Sequence, residues 1–335
     1  MRVNIFKEIT SQLRNINIYF LRYFEAFFGK FINIHNENNL PNIFLFSTPR
    51  SGSTWLMELI LTQVGFKPCN EPLDIRNPMV RRYLGINNWI DLYNNNYLEK
   101  IKIYFEKIIK GKLKHLGSNP FDKNFRFITN RIIFKIIHGC EDKINWFKEN
   151  FNCEIIFLIR HPIAVSLSRR SYPRLTSFIK SDYSKNFSEN QINISKRIIR
   201  NGSKLERGVL SWCLQNAIPL KNIKDNMLLF TYEQLVSEPK KVFKNFKKIL
   251  SFIEISKILN RISEPSWSVK KHSNKQTQIF FNRNNNINNK DYLLKKWKKQ
   301  ITREEEKSLF KIIESFNLDI YEVGNEMPKK KYLLK

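Results

Sequence analysis

Two short basic segments hold the side chains whose types and spacing could do chemistry. Residues 48–56 (TPRSGSTWL) follow the apolar run 42–47, and residues 160–168 (RHPIAVSLS) follow the apolar run 153–159. Each segment is predicted to lead from a buried strand through a polar turn into a helix. Guanidinium groups, hydroxyls and the free N–H groups at a helix start all favour anions. The pair predicts two phosphate sites on one sheet edge, and therefore a ligand with two separated anionic groups.

The first segment differs from the loops that bind nucleoside triphosphates. Gly52 permits close approach of the backbone to a ligand, Ser53 and Thr54 add hydroxyl donors, and Arg50 adds a fixed charge. The pattern G-x-x-x-x-G-K-[ST] is absent, because no Lys precedes the Ser/Thr pair at the helix start. A magnesium-dependent kinase or ATPase is thereby disfavoured. An ordinary strand-turn-helix with a polar turn stays the alternative for this segment taken alone.

Together the two segments resemble the nucleotide-binding motifs of sulfotransferases that use 3′-phosphoadenosine 5′-phosphosulfate (PAPS). Residues 48–56 resemble their 5′-phosphosulfate loop, and residues 160–168 resemble their 3′-phosphate motif. Residues 230–239 (FTYEQLVSEP) resemble the strand end and Tyr-Glu-x-Leu turn of the same enzymes, so the resemblance spans residues 41–325. It implies an α/β fold, a single domain with a central parallel sheet flanked by helices and a P-loop-like nucleotide-binding site. It also implies direct, in-line transfer of a sulfuryl group from PAPS to an acceptor hydroxyl, without a metal.

The resemblance further implies a role for each matching residue. Arg50 takes the place of the basic residue that stabilises charge on the transferring sulfuryl group. The first loop is expected to bind the 5′ end of the donor through Thr48, Arg50, Ser51, Gly52, Ser53 and Thr54. Trp55 is expected near the adenine, and Arg160 with Ser168 is expected at the 3′-phosphate. Tyr232 matches the tyrosine of the Tyr-Glu-x-Leu turn and is expected either to contact the adenine or to serve a capping or core role.

Two residues are candidates for the general base that takes the proton of the acceptor hydroxyl. Glu71, in an Asn-Glu-Pro-Leu sequence, resembles the Glu-Pro of carbohydrate 6-O-sulfotransferases and bacterial relatives. His138 ends a strand pattern and resembles the base of cytosolic aryl and steroid sulfotransferases, although Lys135 stands three residues before it rather than two. Arg50 and Ser53, in place of Lys and Thr, favour the carbohydrate and bacterial side. We therefore expect Glu71 as the base, with His138 as the alternative, and a carbohydrate or glycolipid acceptor.

Alternating strand and helix patterns predict one domain rather than two. Strand patterns end at Ser47, His138, Ile159 and Thr231, and helix patterns cover residues 97–110, 196–220 and 240–252. A polar, Asn-rich stretch at residues 266–289 is predicted as a disordered or mobile loop. We expect a basic amphipathic N-terminal segment at residues 1–40, the sulfotransferase domain at residues 41–325 and a basic C-terminal tail at residues 326–335.

Residues 5–34 combine large apolar side chains with interspersed charges. This pattern predicts an amphipathic helix that lies either on a membrane surface or against the domain or a partner subunit. Charged residues interrupt the apolar run, so the segment is not predicted to span a membrane. The signal-peptide pattern is absent and the four cysteines lack C-x-x-C spacing, which favours a reducing, cytoplasmic location with peripheral membrane contact as the further alternative.

The chain is strongly basic, with 58 Lys and Arg against 30 Asp and Glu and a net charge of +28. Such a charge draws polyanions to the surface. Helix-turn-helix, zinc and aromatic-stacking signatures are absent, so no specific nucleic-acid partner is expected. PAPS and an acidic glycan acceptor are sufficient anionic partners.

Two other functions stay open on the sequence. A phosphoryl-transfer or nucleotide-binding protein on a related fold is one, and magnesium dependence would favour it. A basic binding protein that keeps the fold without turnover is the other. It would bind nucleotide or glycan without forming a sulfated product.

Overall fold

A parallel sheet forms the centre of the molecule. The computed structural model describes residues 32–113, 125–224, 227–272 and 290–334. The strands are β1 (Ile34–His35), β2 (Asn42–Ser47), β3 (Phe66–Asn70), β4 (Ile128–Thr129), β5 (Arg131–Ile136), β6 (Cys153–Ile159) and β7 (Leu228–Thr231). The large sheet has the order β3-β5-β2-β6-β7 with every neighbour parallel, while β1 and β4 form a separate parallel pair. The predicted α/β class is confirmed, and the carboxyl ends of the five strands meet at one edge.

Helices cover both faces of this sheet. They are α1 (Ser53–Ile60), α2 (Pro78–Leu84), α3 (Leu98–Ile109), α4 (Ile144–Asn150), α5 (Pro162–Ser168), α6 (Leu175–Lys180), α7 (Glu189–Asn201), α8 (Lys204–Asn222), α9 (Tyr232–Ser237), α10 (Pro239–Ile249), α11 (Ile255–Arg261), α12 (Trp267–His272), α13 (Lys290–Lys295) and α14 (Arg303–Ser315). Helices α1, α9, α10 and α11 pack on one face, and α3, α4, α8 and α14 pack on the other.

The central strand β2 shows why the sheet is covered on both faces. All six of its residues are buried, and the four between Asn42 and Ser47 are apolar and point to both sides of the sheet. Ile43 and Leu45 belong to the core that contains α1, whereas Phe44 and Phe46 belong to the core that contains α3 and α4. Phe44 stacks on Phe134 of β5 at 4.5 Å between ring centres. A continuous apolar run of this kind is typical of a strand within a parallel sheet.

Three predicted elements differ from the structure. Strand β5 ends at Ile136, so His138 lies in the loop beyond the strand rather than at its end. The helix predicted at residues 196–220 is two helices, α7 and α8, each beginning with a capping box, at Ser188 and at Ser203. Residues 267–272, predicted as loop, form α12. Their sequence is short and polar, and α12 packs on α1 rather than relying on its own propensity.

The ends of the chain carry the remaining predictions. Residues 1–31, most of the predicted amphipathic segment, and residues 273–289 of the Asn-rich stretch lie outside the described residues. Near the C-terminus, Leu334 exchanges two backbone hydrogen bonds with the Gln234 side chain, at 2.8 and 3.0 Å. Across the described ranges, no helix has the length and apolar character needed to cross a membrane.

Candidate active site

A cavity of about 810 Å³ opens at the carboxyl edge of the sheet. It lies above β2, β5 and β6, where the two basic segments begin. Of the residues predicted from the sequence, it is lined by Arg50, Gly52, Ser53, Thr54, Trp55, Glu71, His138, Arg160, Ser168 and Tyr232. Thr48 and Ser51 do not line it. The two basic segments and both base candidates thus meet in one place.

The segment 48–53, here called the anion loop, has an unusual backbone. Arg50 and Gly52 adopt positive φ angles of 77° and 94°. When residues with positive φ alternate with residues of negative φ, successive backbone N–H groups point to the same side. Helix α1 then begins at Ser53, and its first turn adds further free N–H groups. A Cβ on Gly52 would lie 2.7 Å from the Tyr232 ring, so this position also needs glycine for space. The loop is therefore shaped as a backbone cradle for an anion.

Thr48 and Ser51 lie beneath this cradle. The Thr48 hydroxyl contacts the Asn216 side chain, whose Nδ2 donates to it at 3.0 Å, and Thr48 is 1% exposed. Ser51 is fully buried, and its Oγ has no hydrogen-bond partner among the described residues. The side chain of Thr48 holds the anion loop against α8, which differs from the ligand contact that the resemblance implied for it.

Arg160 lies between the two basic segments. Its guanidinium carbon is 4.0 Å from the centre of the Tyr232 ring, and its Nη1 donates to the Arg50 carbonyl at 3.3 Å. Trp55 meets the same tyrosine edge-on, at 6.0 Å between ring centres. Ser168, at the end of α5, donates to the Val165 carbonyl at 3.1 Å and is exposed to the cavity. The cation and the two aromatic rings form one wall.

This wall carries an excess of positive charge. Desolvation by the cavity walls lowers the pKa of Arg50, and the charges of Arg160 and Arg170 lower it further. Burial, followed by the charges of Arg160 and Arg50, lowers the pKa of Lys296 to about 8. Like charges held together in this way are stabilised by an anionic ligand.

Lys296 was not among the predicted site residues. Its neighbour Trp297 is 1% exposed and stacks on His161 at 4.2 Å between ring centres. This contact fixes the turn after α13 beside the second basic segment, and Lys296 thereby reaches the cavity. The sequence shows a tryptophan next to Lys296, which indicated a buried position, but only the folded chain shows that this tryptophan packs on His161. His161, the second residue of the second basic segment, is 1% exposed.

Glu71 and His138 lie within one charged group, here called the base cluster, with Asp74, Arg76 and Lys135. Glu71 Oε1 is 3.2 Å from Lys135 Nζ, and Glu71 Oε2 is 3.5 Å from His138 Nε2. Arg76 lies 2.8 Å from Asp74 and directs Nη2 to His138 Nε2 at 3.1 Å. Because a guanidinium only donates, this contact favours a neutral His138 whose Nε2 accepts.

The two base candidates have different proton affinities. Burial raises the pKa of Glu71, but the Lys135 charge, with a smaller contribution from the neighbouring His138, outweighs it and holds that pKa well below its usual range. Burial lowers the pKa of His138 below 6.5, although Glu71 acts in the opposite direction. At neutral pH, Glu71 is therefore an ionised but weak base, and His138 is a neutral imidazole.

A buried network beneath the base cluster fixes the loop that carries His138. Arg174 donates to the Ile137 carbonyl at 3.1 Å and to the Tyr93 hydroxyl at 2.6 Å, and it pairs with Glu141. Sequence reasoning gave no indication of this network, because its members lie far apart in the chain. It keeps His138 in place although the strand has already ended.

The base cluster contains three groups that could hold a metal ion. Ligand atoms of Glu71, Asp74 and His138 lie within 4.8 Å of one another. However, Lys135 and Arg76 already pair with the two carboxylates. An ion would have to displace these cations, so the cluster suits proton transfer better than metal binding.

Comparison with known proteins settles the family. The model of the sulfotransferase domain matches residues 40–327, which include every strand of the large sheet and the whole cavity. The chain belongs to the PAPS-dependent sulfotransferase family. The predicted family and class of enzyme are thereby confirmed, and sulfuryl transfer is the reaction of this family. Among curated proteins, none matches the chain.

Solved sulfotransferase structures are similar to the chain at low identity. The sulfotransferase domain from the Synechococcus PCC 7002 olefin synthase is 19% identical, with 85% of this chain and 98% of that chain covered and a TM-score of 0.44. The sulfotransferase domain from the curacin biosynthetic pathway is 18% identical, with coverages of 84% and 99% and a TM-score of 0.42. Mouse sulfotransferase SULT7A1 complexed with PAP is 14% identical, with coverages of 87% and 89% and a TM-score of 0.39.

Proposed function

We propose that this sulfotransferase moves the sulfuryl group of PAPS in line to a hydroxyl of a carbohydrate or glycoconjugate. The observation that carries the proposal is the meeting of the anion loop, Arg160 and the base cluster in a single cavity. An anionic donor bound along the loop would present its reacting end toward Glu71 and His138. Placing donor and acceptor side by side is the main source of catalysis in such a site.

The residues present fit a donor with two anionic ends. Arg50, Arg160 and Lys296 lack a carboxylate partner within the described residues. The pKa values of Arg50 and Lys296 are lowered by burial and then by the charge of Arg160. The anion loop and Arg50 would hold the phosphosulfate end, and Arg160 with Ser168 would hold the 3′-phosphate. Trp55 and Tyr232 offer ring faces for the adenine. PAPS, when bound, supplies the sulfuryl group and a phosphate leaving group.

The acceptor proton then needs a base. We assign this role to His138, because a neutral imidazole of lowered pKa accepts a proton more readily than the strongly acidic Glu71 carboxylate. The acceptor oxygen forms the new bond to sulfur, and the bond from sulfur to the 5′-phosphate oxygen breaks. The hydroxyl proton passes to His138 Nε2, and the acceptor hydroxyl thereby replaces Arg76 as the hydrogen-bond donor to that nitrogen. Glu71 Oε2, 3.5 Å away, stabilises the resulting imidazolium. Arg50 and Lys135 are placed to stabilise charge that develops during transfer.

The class of acceptor and the compartment are inferred from motif residues and from the cysteines. The residues at positions 50, 53 and 71 favour a carbohydrate through their resemblance to carbohydrate sulfotransferases. All four cysteines are buried and unpaired, which suits a reducing compartment such as the cytoplasm. Contact with a membrane surface through residues 5–34 stays a further proposal.

Titration calorimetry with 3′,5′-adenosine bisphosphate, without magnesium, tests the donor site. The wild-type protein is expected to bind it in the micromolar range and to bind 5′-AMP far more weakly. Arg160→Gln is expected to lose this preference, whereas Arg303→Gln, an exposed arginine on α14 outside the cavity, retains it.

The other two functions predict different results. Binding that requires magnesium would favour phosphoryl transfer on a related fold. Tight binding of the bisphosphate with no sulfated product from PAPS, across neutral and acidic glycans, would favour a non-catalytic binding protein. Either result would overturn the proposed reaction.

A further inference from the structure

Cationic side chains outnumber carboxylates around the cavity beyond what a donor site needs. Among the described residues, eight Arg and Lys side chains line it, against the two carboxylates Glu71 and Glu264. Burial, and then the charge of Arg160, lowers the pKa of both Arg50 and Lys296, and these three residues form the donor side. Arg76 and Lys135 belong to the base cluster and already have carboxylate partners. The remaining three cations are Arg169, Arg170 and Lys204.

Arg169 is the most unusual of these three. It follows α5 directly and is only 7% exposed, yet it lines the cavity. Its Nη1 donates to Ser211 Oγ at 3.1 Å, and its guanidinium carbon lies 4.8 Å from the centre of the Tyr172 ring. Within the described part of the chain, no carboxylate lies within ion-pair distance of it. A buried arginine usually has an anionic partner, because an unpaired charge is costly to desolvate.

Two arginines near Arg169 have a carboxylate partner, which Arg169 lacks within the described residues. Arg174 pairs with Glu141, and Arg76 pairs with Asp74. Burial first, and then the charges of Arg174 and Arg76, lower the pKa of Arg169 to about 9. An anion that enters from the cavity and hydrogen-bonds to the Arg169 guanidinium would offset the cost of desolvating this charge.

The surroundings of Arg169 place this anion on the acceptor side. Arg76, whose charge acts on Arg169, directs its guanidinium to His138 Nε2. Ser211, which accepts from Arg169, also accepts from Gln215 Nε2 at 2.7 Å. Arg174 donates both to Gln215 Oε1 and to the carbonyl of Ile137, next to His138, so hydrogen bonds connect Arg169 to the loop of the base cluster. Arg170 and Lys204 are exposed at the cavity lining, and the charge of Arg170 also acts on Arg50 of the donor side.

We propose that the acceptor is an acidic carbohydrate, whose carboxylate or sulfate group pairs with Arg169 while the hydroxyl to be sulfated lies at the base cluster. This inference rests on the proposed function, and it adds the charge of the substrate. The planar fork of Arg169 suits a two-oxygen contact with a carboxylate or sulfate. Arg170 and Lys204 speed the approach of such an acceptor and contribute less to its bound state.

A matched pair of acceptors tests the proposal on the wild-type enzyme. A disaccharide that ends in a hexuronic acid is compared with its methyl ester, which keeps the hydroxyls and removes the charge. A sulfated disaccharide and its unsulfated form separate the two sources of negative charge. Sulfation from PAPS is followed by the bisphosphate product. We expect KM for the better acid to lie about tenfold to a hundredfold below KM for its neutral partner, with kcat less affected.

Three variants locate the effect. Arg169→Gln is expected to raise KM for the acid to that of the neutral partner without changing the affinity for 3′,5′-adenosine bisphosphate. Arg169→Lys, which keeps the charge but loses the fork, is expected to restore part of the preference. Arg170→Gln with Lys204→Gln is expected to raise KM for the acid about two- to fivefold, because exposed charges contribute little. If Arg169→Gln fails to fold, the KM values of the matched acceptors with the wild-type enzyme and with the double variant still test the proposal.

Several results would overturn the proposal. Equal KM for charged and neutral acceptors would remove the acidic acceptor while leaving sulfotransfer intact. Loss of bisphosphate binding in Arg169→Gln would place this arginine at the donor instead. If no acceptor is sulfated, binding of the acid and the ester to enzyme saturated with bisphosphate is compared, and equal binding also contradicts the proposal. Failure of the proposed function itself would be distinct, since wild-type enzyme would then not bind the bisphosphate without magnesium.

Discussion

Lys135 Nζ lies 3.1 Å from the hydroxyl of Thr54, at the start of α1. The same nitrogen is 3.2 Å from Glu71 Oε1, and Lys135 is only 3% exposed. One buried ammonium therefore joins the helix that follows the anion loop to the base cluster. It lies where negative charge would develop between a donor on the loop and an acceptor at His138. A fixed charge in this position is worth most in a site that excludes water.

Replacement of this lysine tests its part in the reaction. Lys135→Met keeps the apolar stem and removes the charge, and we expect kcat to fall roughly 10²–10³-fold, the range seen when one stabilising donor is removed. KM for PAPS is expected to change less. Lys107→Met, at an exposed position on α3, is the control for the substitution itself. An unchanged kcat with intact folding would show that Lys135 serves only to pair with Glu71.

A second prediction concerns Gly52. Gly52→Ala adds a methyl group 2.7 Å from the Tyr232 ring, at a φ angle that alanine also disfavours. We expect the anion loop to shift, with loss of bisphosphate affinity measured by calorimetry and a lower free energy of unfolding.

Gly324 provides the matched control for that substitution. It has a positive φ of 82°, and a Cβ there would meet nothing within 4 Å. Gly324→Ala therefore isolates the backbone cost, about 1–2 kcal/mol, and is expected to leave bisphosphate binding unchanged. Equal behaviour of the two variants would argue against a role for the contact between Gly52 and Tyr232.

Much of the fold could be predicted because its signals are local. The strands that end at Ser47, Ile159 and Thr231 are continuous apolar runs, and each ends where the pattern changes to polar residues. Parallel strands bring their carboxyl ends to one edge, so the meeting of Arg50 and Arg160 followed from the order of the elements. The break between α7 and α8 was also available, since Ser203 and Glu206 form a capping box.

The rest depends on contacts between distant parts of the chain. Lys296 reaches the cavity only because Trp297 packs on His161. The interior position of Thr48 depends on Asn216, in a helix far along the sequence. The proton affinities of Glu71 and His138 follow from burial and from Lys135, none of which a motif records. Sequence motifs thus predicted residues that line one cavity, whereas the balance of charge within that cavity required the fold.

A third prediction follows from Lys296. Its pKa is lowered to about 8 by burial and by Arg160 and Arg50, so it loses its proton as the pH rises through that value. A bound bisphosphate favours the charged form and raises the pKa. We therefore expect affinity to fall above pH 8, approaching about tenfold per pH unit, and binding near pH 9 to take up a proton.

Calorimetry in two buffers of different ionisation enthalpy measures this uptake directly. Lys296→Met is expected to abolish it, and Lys299→Met, at an exposed position in the same turn, is expected to retain it. Affinity that stays constant between pH 7 and 9.5 in the wild-type protein would contradict a role for Lys296 at the donor.

The last prediction separates the two base candidates by pH. With His138 as the base, its neutral form is active, and burial places its pKa below 6.5. The acid limb of kcat/KM therefore lies below pH 6.5, with activity lost as the pH falls. Glu71 raises the pKa of His138, so Glu71→Gln is expected to move this limb to lower pH while activity persists.

His138→Gln is expected to abolish most activity at all pH values, whereas Glu314→Gln, an exposed carboxylate on α14, leaves the profile unchanged. With Glu71 as the base, the outcome is opposite: its strongly lowered pKa gives no acid limb above pH 4, and Glu71→Gln is the inactive variant.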